Sequence, residues 1–89
     1  MSVQSVIRAF QEGLGDAGQV EKANMRYVRG KDGKQVEHWL IVVILSEGAR
    51  DLFEYDKPAG KNSVEWARII GQGARQTYSN PELQEPAGI

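Results

Sequence analysis

The chain has 89 residues, 40% hydrophobic and 26% charged, with 11 basic and 12 acidic side chains giving a formal net charge of −1. That length bounds it to one domain burying roughly 60% of its unfolded surface, and near-neutrality is not the footprint of a dedicated polyanion binder. With no cysteine and a single histidine, a disulfide framework and a thiolate metal site are both excluded.

Val3, Val6, Ile7, Phe10 and Leu14 recur at the spacing of one helical stripe, which predicts a helix over Ser2–Gly13 with Ser2 as its cap. Gly13, Gly15 and Gly18, with Asp16, are expected to end it in a loop. From Val20 to Arg29, Ala23, Met25 and Tyr27 alternate with Asn24 and Arg26, which is the period of a strand. "RGKDGK", Arg29–Lys34, is a turn, because Asp32-Gly33 suits the positive-φ positions of a tight hairpin. A second strand is expected from Gln35 to about Ser46, a turn pivoting on Gly48, and a short third strand over Leu52–Tyr55.

"DKPAGKN" is a loop, and Asn62 is placed to cap a second helix from Ser63 to about Tyr78, with Glu65 set to complete a capping box. Val64, Ala67, Ile70, Ala74 and Tyr78 form its stripe, flanked by Trp66 and Ile69. Gly71 and Gly73 each cost roughly 1 kcal/mol relative to alanine inside a helix. They are expected to allow close approach of the helix to the sheet. "SNPELQEPAGI", residues 79–89, has two prolines and no periodicity and is expected to be a flexible tail to a single domain over 1–78.

The predicted fold is therefore α+β: a three-stranded antiparallel meander with N- and C-terminal helices, in two layers. The middle strand, "HWLIVVIL", is apolar at almost every position rather than alternating. One face, carrying Trp39, Ile41, Val43 and Leu45, and the other, carrying Val36, His38, Leu40, Val42 and Ile44, both need cover. Both helices are expected on one face, leaving an apolar strip on the other, rimmed by Lys22, Arg26 and Glu54. Trp39 and Trp66 read as core, but on the open face Trp39 is the strongest anchor available. Trp39, Ile41, Val43 and Arg26 are the candidate partner-binding residues.

Little in the chain carries chemistry. His38 reads as a half-buried strand histidine with no serine placed beside it. Asp51, Glu54 and Asp56 read as a solvated acidic edge without calcium-loop spacing, and nothing makes Glu37 and Glu54 an acid–base pair. "GQGAR" lies within a helix and lacks the lysine of a phosphate-binding loop. No catalytic residue, metal site, cofactor or small-molecule substrate is predicted. The longest apolar run, Trp39–Leu45, is far short of the roughly 20 residues a membrane helix needs, and "MSVQSVIRAF" is unlike a secretory leader. A cytoplasmic, non-membrane protein is expected.

The α-β-β-β-α order over residues 2–78 resembles that of the double-stranded RNA-binding domain, in which the first helix, the loop between the first two strands and a lysine-rich start of the second helix touch RNA. The resemblance implies nucleic-acid contact through Arg29, Lys31, Lys34, Lys57 and Lys61. The family's lysine cluster is absent here, since the second helix begins "SVEWAR" with Glu65. Set against this alternative, hairpin lysines commonly guard strand edges and aid solubility. The leading expectation is a small non-enzymatic protein that binds another protein, or itself as a homodimer. It would do so through the open sheet face or through an edge strand extending a partner's sheet. By analogy of size and class alone, phage and mobile-element accessory or inhibitor proteins are comparable.

Overall fold

The computed structural model describes residues 2–79. Ser2 starts helix α1 (Val3–Leu14), its hydroxyl accepting from the Ser5 N–H at 3.2 Å. The buried stripe is Val6, Ala9, Phe10, Gly13 and Leu14, while Val3, counted in the stripe from sequence, is 41% exposed. The helix ends at Leu14, one residue later than predicted, and the cap Gly15, with a φ of 64°, allows the chain to reverse into a short turn, Gly15–Ala17.

Gln11 fixes that junction. Its amide nitrogen donates to the carbonyls of Gly15 and Gly18 at 3.1 and 3.0 Å, and its amide oxygen accepts from the Val20 N–H at 2.8 Å. Polar groups that would otherwise be left unmatched between helix and sheet are thereby paired.

Strands β1 (Gly18–Arg29), β2 (Gln35–Leu45) and β3 (Arg50–Asp56) pair antiparallel in the order β1-β2-β3, so the expected α-β-β-β-α meander is the observed architecture. β3 is longer than predicted, because the charged residues Arg50, Asp51 and Asp56 pair as strand even though their side chains offer nothing to a core. The β1–β2 turn closes with Gly30 N–H donating to Lys34 O at 2.8 Å and with Gly33 at φ 82°. Helix α2 (Ser63–Ser79) is capped by Asn62, whose side-chain oxygen accepts from the N–H groups of Val64 and Glu65 at 2.9 and 3.1 Å. Ser79, assigned to the tail from sequence, is the last residue of α2, and the rest of that expected tail lies outside the described residues.

Both helices lie on one face of the sheet. Val6, Ala9, Phe10 and Leu14 of α1 and Ala67 and Ala74 of α2 enclose Trp39, Ile41 and Val43 of β2. Phe53 of β3 continues this layer, 5.7 Å from the Phe10 ring and 5.9 Å from Tyr78, whose hydroxyl donates to Asp51 at 2.6 Å.

The helices meet at backbone contact. A Cβ on Gly71 would collide with the Phe10 carbonyl oxygen and lie 3.2 Å from the Leu14 nitrogen. A Cβ on Gly13 would collide with the Arg68 carbonyl oxygen and lie 2.7 Å from the Gln72 nitrogen. The expectation that both helix-two glycines admit the sheet is therefore corrected. Gly71 admits α1 instead, and a Cβ on Gly73 would have nothing within 4 Å. Gly13, taken from sequence as a terminator, is a buried packing residue within α1.

Candidate functional site

The face of the sheet away from the helices is the candidate site. Alternation along β2 turns Val36, His38, Leu40, Val42 and Ile44 to this side, each half-buried. The register places Arg26, Asn24 and Lys22 of β1 beside His38, Leu40 and Val42, and places Asp56, Glu54 and Leu52 of β3 on their other side. A bulge between Val20 and Lys22 shifts β1 by one residue, which lets Glu21 join this face. Glu21 takes a forked ion pair from Arg50, with Arg50 Nε and Nη2 at 3.1 and 3.0 Å from its two oxygens. The pair joins the two outer strands above the Ile44 end of β2 and holds the Glu21 carboxyl below its usual range. The face is thus an apolar strip of Leu40, Val42, Ile44 and Leu52, the last 49% exposed, with charge at both ends.

The other end carries the one histidine. His38 Nδ1 lies 2.7 Å from Asp56 Oδ1 and Nε2 lies 3.2 Å from Glu54 Oε2. Ionised carboxylates only accept, so the ring satisfies both contacts only when both nitrogens are protonated. Its pKa is raised above 6.5, chiefly by the hydrogen bond to Asp56; burial opposes this, the Glu54 bond and the Asp56 charge add to it, and Arg26 across the strand opposes it. A raised folded pKa means the pairing contributes fully below the unfolded value and is lost as pH climbs through the folded one. Wild-type protein is therefore expected to lose denaturation resistance relative to His38→Gln as pH rises above 6.5. Parallel stability curves for the two proteins on both sides of that pH would show that the pairing contributes nothing.

The sequence-predicted site residues divide sharply. Trp39, Ile41 and Val43 are 1%, 0% and 0% exposed and lie beneath the helices, so they are core rather than contact surface. The physical reason is register: Met25, Ala23, Phe53 and Tyr55 share their face, which makes that side the more apolar and the one the helices cover. Trp39 Nε1 donates to Glu37 at 3.0 Å, and Ser63 Oγ donates to the same oxygen at 2.8 Å, tying the core to the start of α2. Of the four, only Arg26 lies on the open face.

Arg29, Lys31 and Lys34 lie at the β1–β2 hairpin, and Lys57 and Lys61 in the loop before α2. The structure brings both groups to the same end of the sheet, where Lys57 N–H donates to Glu37 O at 2.9 Å. A shallow depression between them is lined by Tyr27, Gln35, Val36, Glu37, Lys57 and Ala59. The Lys57 ammonium is turned back on its own loop, donating to the Lys61 carbonyl at 2.8 Å.

Sequence reasoning missed the His38–Asp56–Glu54 cluster and the Glu21–Arg50 pair. Both depend on which residues of β1 and β3 fall beside which residues of β2, and the Val20/Lys22 bulge leaves no mark in the residue types. No group of three or more candidate metal ligands is found among the described residues, and no helix among them is long and apolar enough to cross a membrane. Comparison with known proteins finds no family model, curated protein or solved structure that matches this chain.

Proposed function

We propose that this chain is a non-catalytic interaction module that binds protein through the open face of its sheet. The observation that carries this reading is the strip of Leu40, Val42, Ile44 and Leu52, which neither helix covers and which charged side chains frame at both ends. Apolar centres with polar rims are what protein contact surfaces present. The titratable cluster at His38 supports the same reading, because it sits on the flat of the sheet with both carboxylates exposed, at 50% and 60%. A role like that of phage accessory or inhibitor proteins rests on analogy of size and class.

The test is to compare wild type, Leu40→Glu and the hairpin variant Lys31→Glu/Lys34→Glu by sedimentation across concentration and by affinity capture. The reading expects Leu40→Glu to lose association at least about tenfold and the hairpin variant to keep it. Equal association by all three proteins would remove the open face from consideration. The second reading, nucleic-acid contact, is favoured by the convergence of Arg29, Lys31, Lys34, Lys57 and Lys61 at one end. It expects binding of duplex RNA that weakens steeply with salt and is lost in the hairpin variant. No binding at low salt rules it out.

A further inference from the structure

Resting on the reading of the open face as a contact surface, we infer that its occupant is a second copy of this chain, stacked face to face about a two-fold axis that runs along β2.

Charge is distributed unevenly across the face. On the β1 side the outward row is Lys22, Asn24 and Arg26, and on the β3 side it is Leu52, Glu54 and Asp56. Arg26, His38 and Asp56 stand at one level of the sheet, and Asn24, Leu40 and Glu54 at the next. From Lys22 to Arg26 the β1 flank is basic and from Leu52 to Asp56 the β3 flank is acidic, with the apolar strip between them, while at the Ile44 end Glu21 and Arg50 reverse the signs and pair with each other.

A two-fold axis along β2 lays the β1 of each copy over the β3 of the other at the same level. Arg26 then faces Asp56 of the second copy, and Asp56 faces its Arg26. Asn24 meets Glu54, and Glu21 and Arg50 meet their counterparts with opposite sign. Leu40 and Val42 lie on the axis and pack against themselves, and His38, on the same axis, faces its counterpart with Glu54 and Asp56 of both copies around the two rings. The alternative two-fold, running across the strands, lays β1 on β1 and β3 on β3. It sets Lys22 over Arg26 and Glu54 over Glu54, so like charges meet along both flanks. The two flanks are therefore complementary in one orientation and repelling in the other, and the carboxylates beside each His38 offset the meeting of the two rings on the axis, which is how charge fixes orientation at an interface. Arg26 makes no ion pair or hydrogen bond through its guanidinium among the described residues, so it is free to serve a second molecule.

The size fits a weak, rapidly reversible dimer. From Val36 to Ile44 the face is about 27 Å long, and three strands make it about 14 Å wide. Two such faces bury about 760 Å2, the size of a weak, transient contact, so dissociation no tighter than the high micromolar range is expected. Aligned sheets stack about 10 Å apart, which the half-buried Leu40 and Val42 side chains can fill.

Three folded proteins decide the matter by sedimentation equilibrium, with far-ultraviolet circular dichroism as the folding check. Wild type should dimerise reversibly. Arg26→Asp and Asp56→Arg should each dimerise at least about tenfold more weakly, since each sets two pairs of like charges in contact. Mixing the two singly substituted proteins should restore association to near the wild-type level, because the mixed dimer regains two opposite-charge pairs. Single variants that dimerise as tightly as wild type, or a mixture no tighter than its components, would overturn the proposed orientation. Wild type that stays monomeric at every concentration would overturn self-association altogether. In that case, loss of foreign-protein capture by Leu40→Glu would still leave the open face as the contact surface, whereas unchanged capture would end both.

Discussion

Gly71→Ala is expected to lower the stability of the domain by about 2–3 kcal/mol, the cost of forcing extra volume into a closed contact. The reason is space and not backbone conformation, since the positive-φ glycines are Gly15, Gly33, Gly48 and Gly60. A methyl group at residue 71 meets the carbonyl of Phe10, and backbone cannot rotate aside as a side chain can. The helices must move apart, and Val6, Phe10 and Leu14, all 0% exposed, move with α1. Gly13→Ala attacks the same contact from the other side and should cost a similar amount. The double variant should cost less than the sum of the two, because the first substitution has already opened the gap.

Gly73→Ala is the control: the position is exposed, nothing lies within 4 Å, and alanine's better helix propensity should add about 0.5–1 kcal/mol. Urea denaturation of these variants beside wild type measures this directly. If Gly71→Ala and Gly73→Ala gained the same stability, the close helix crossing would be wrong.

The second large effect is expected at Trp39. Trp39→Ala removes the largest fully buried side chain and leaves Glu37 with one fewer donor. Truncation of a buried aromatic costs about 3–5 kcal/mol, a large share of the roughly 5–13 kcal/mol that a domain of this size has in total. The variant should therefore be marginally stable, with a steeply lowered melting temperature and weakened near-ultraviolet dichroism. Leu52→Ala, on the open face and with its parent side chain 49% exposed, should melt within a few degrees of wild type. The contrast separates core from contact surface. A Trp39→Ala protein that folds normally yet no longer associates would make Trp39 the partner anchor that it was expected to be if it lay on the open face.

The His38 cluster adds a link between the two. Its carboxylate partner Asp56 also carries the acidic flank of the open face, and Arg26 stands one strand away at the same level. Loss of the imidazolium proton leaves Glu54 and Asp56 uncompensated within the monomer, so the flank becomes more acidic as pH rises.

What the residues decided by themselves was local. The period of Val6, Phe10 and Leu14, the alternation of Ala23, Met25 and Tyr27, the Asp32-Gly33 turn and the Asn62 cap each depend on neighbours within about four residues. They place both helices, all three strands and their order. The run from Trp39 to Leu45 also declared that two faces needed cover, since apolar side chains on both sides of a strand are costly in water.

Which face the helices took was decided only by tertiary structure. It depends on the summed apolar area of three strands in register, and Phe53 and Met25 tip that balance toward the side of Trp39. The same holds for Gly13 and Gly71. A glycine in a helix has one sequence signature whether it ends the helix, faces water or touches another backbone, and only the crossing of α1 and α2 tells these apart. Arg26, Asp56 and His38 are 30 residues apart at their extremes in sequence, and antiparallel register alone sets them in one row.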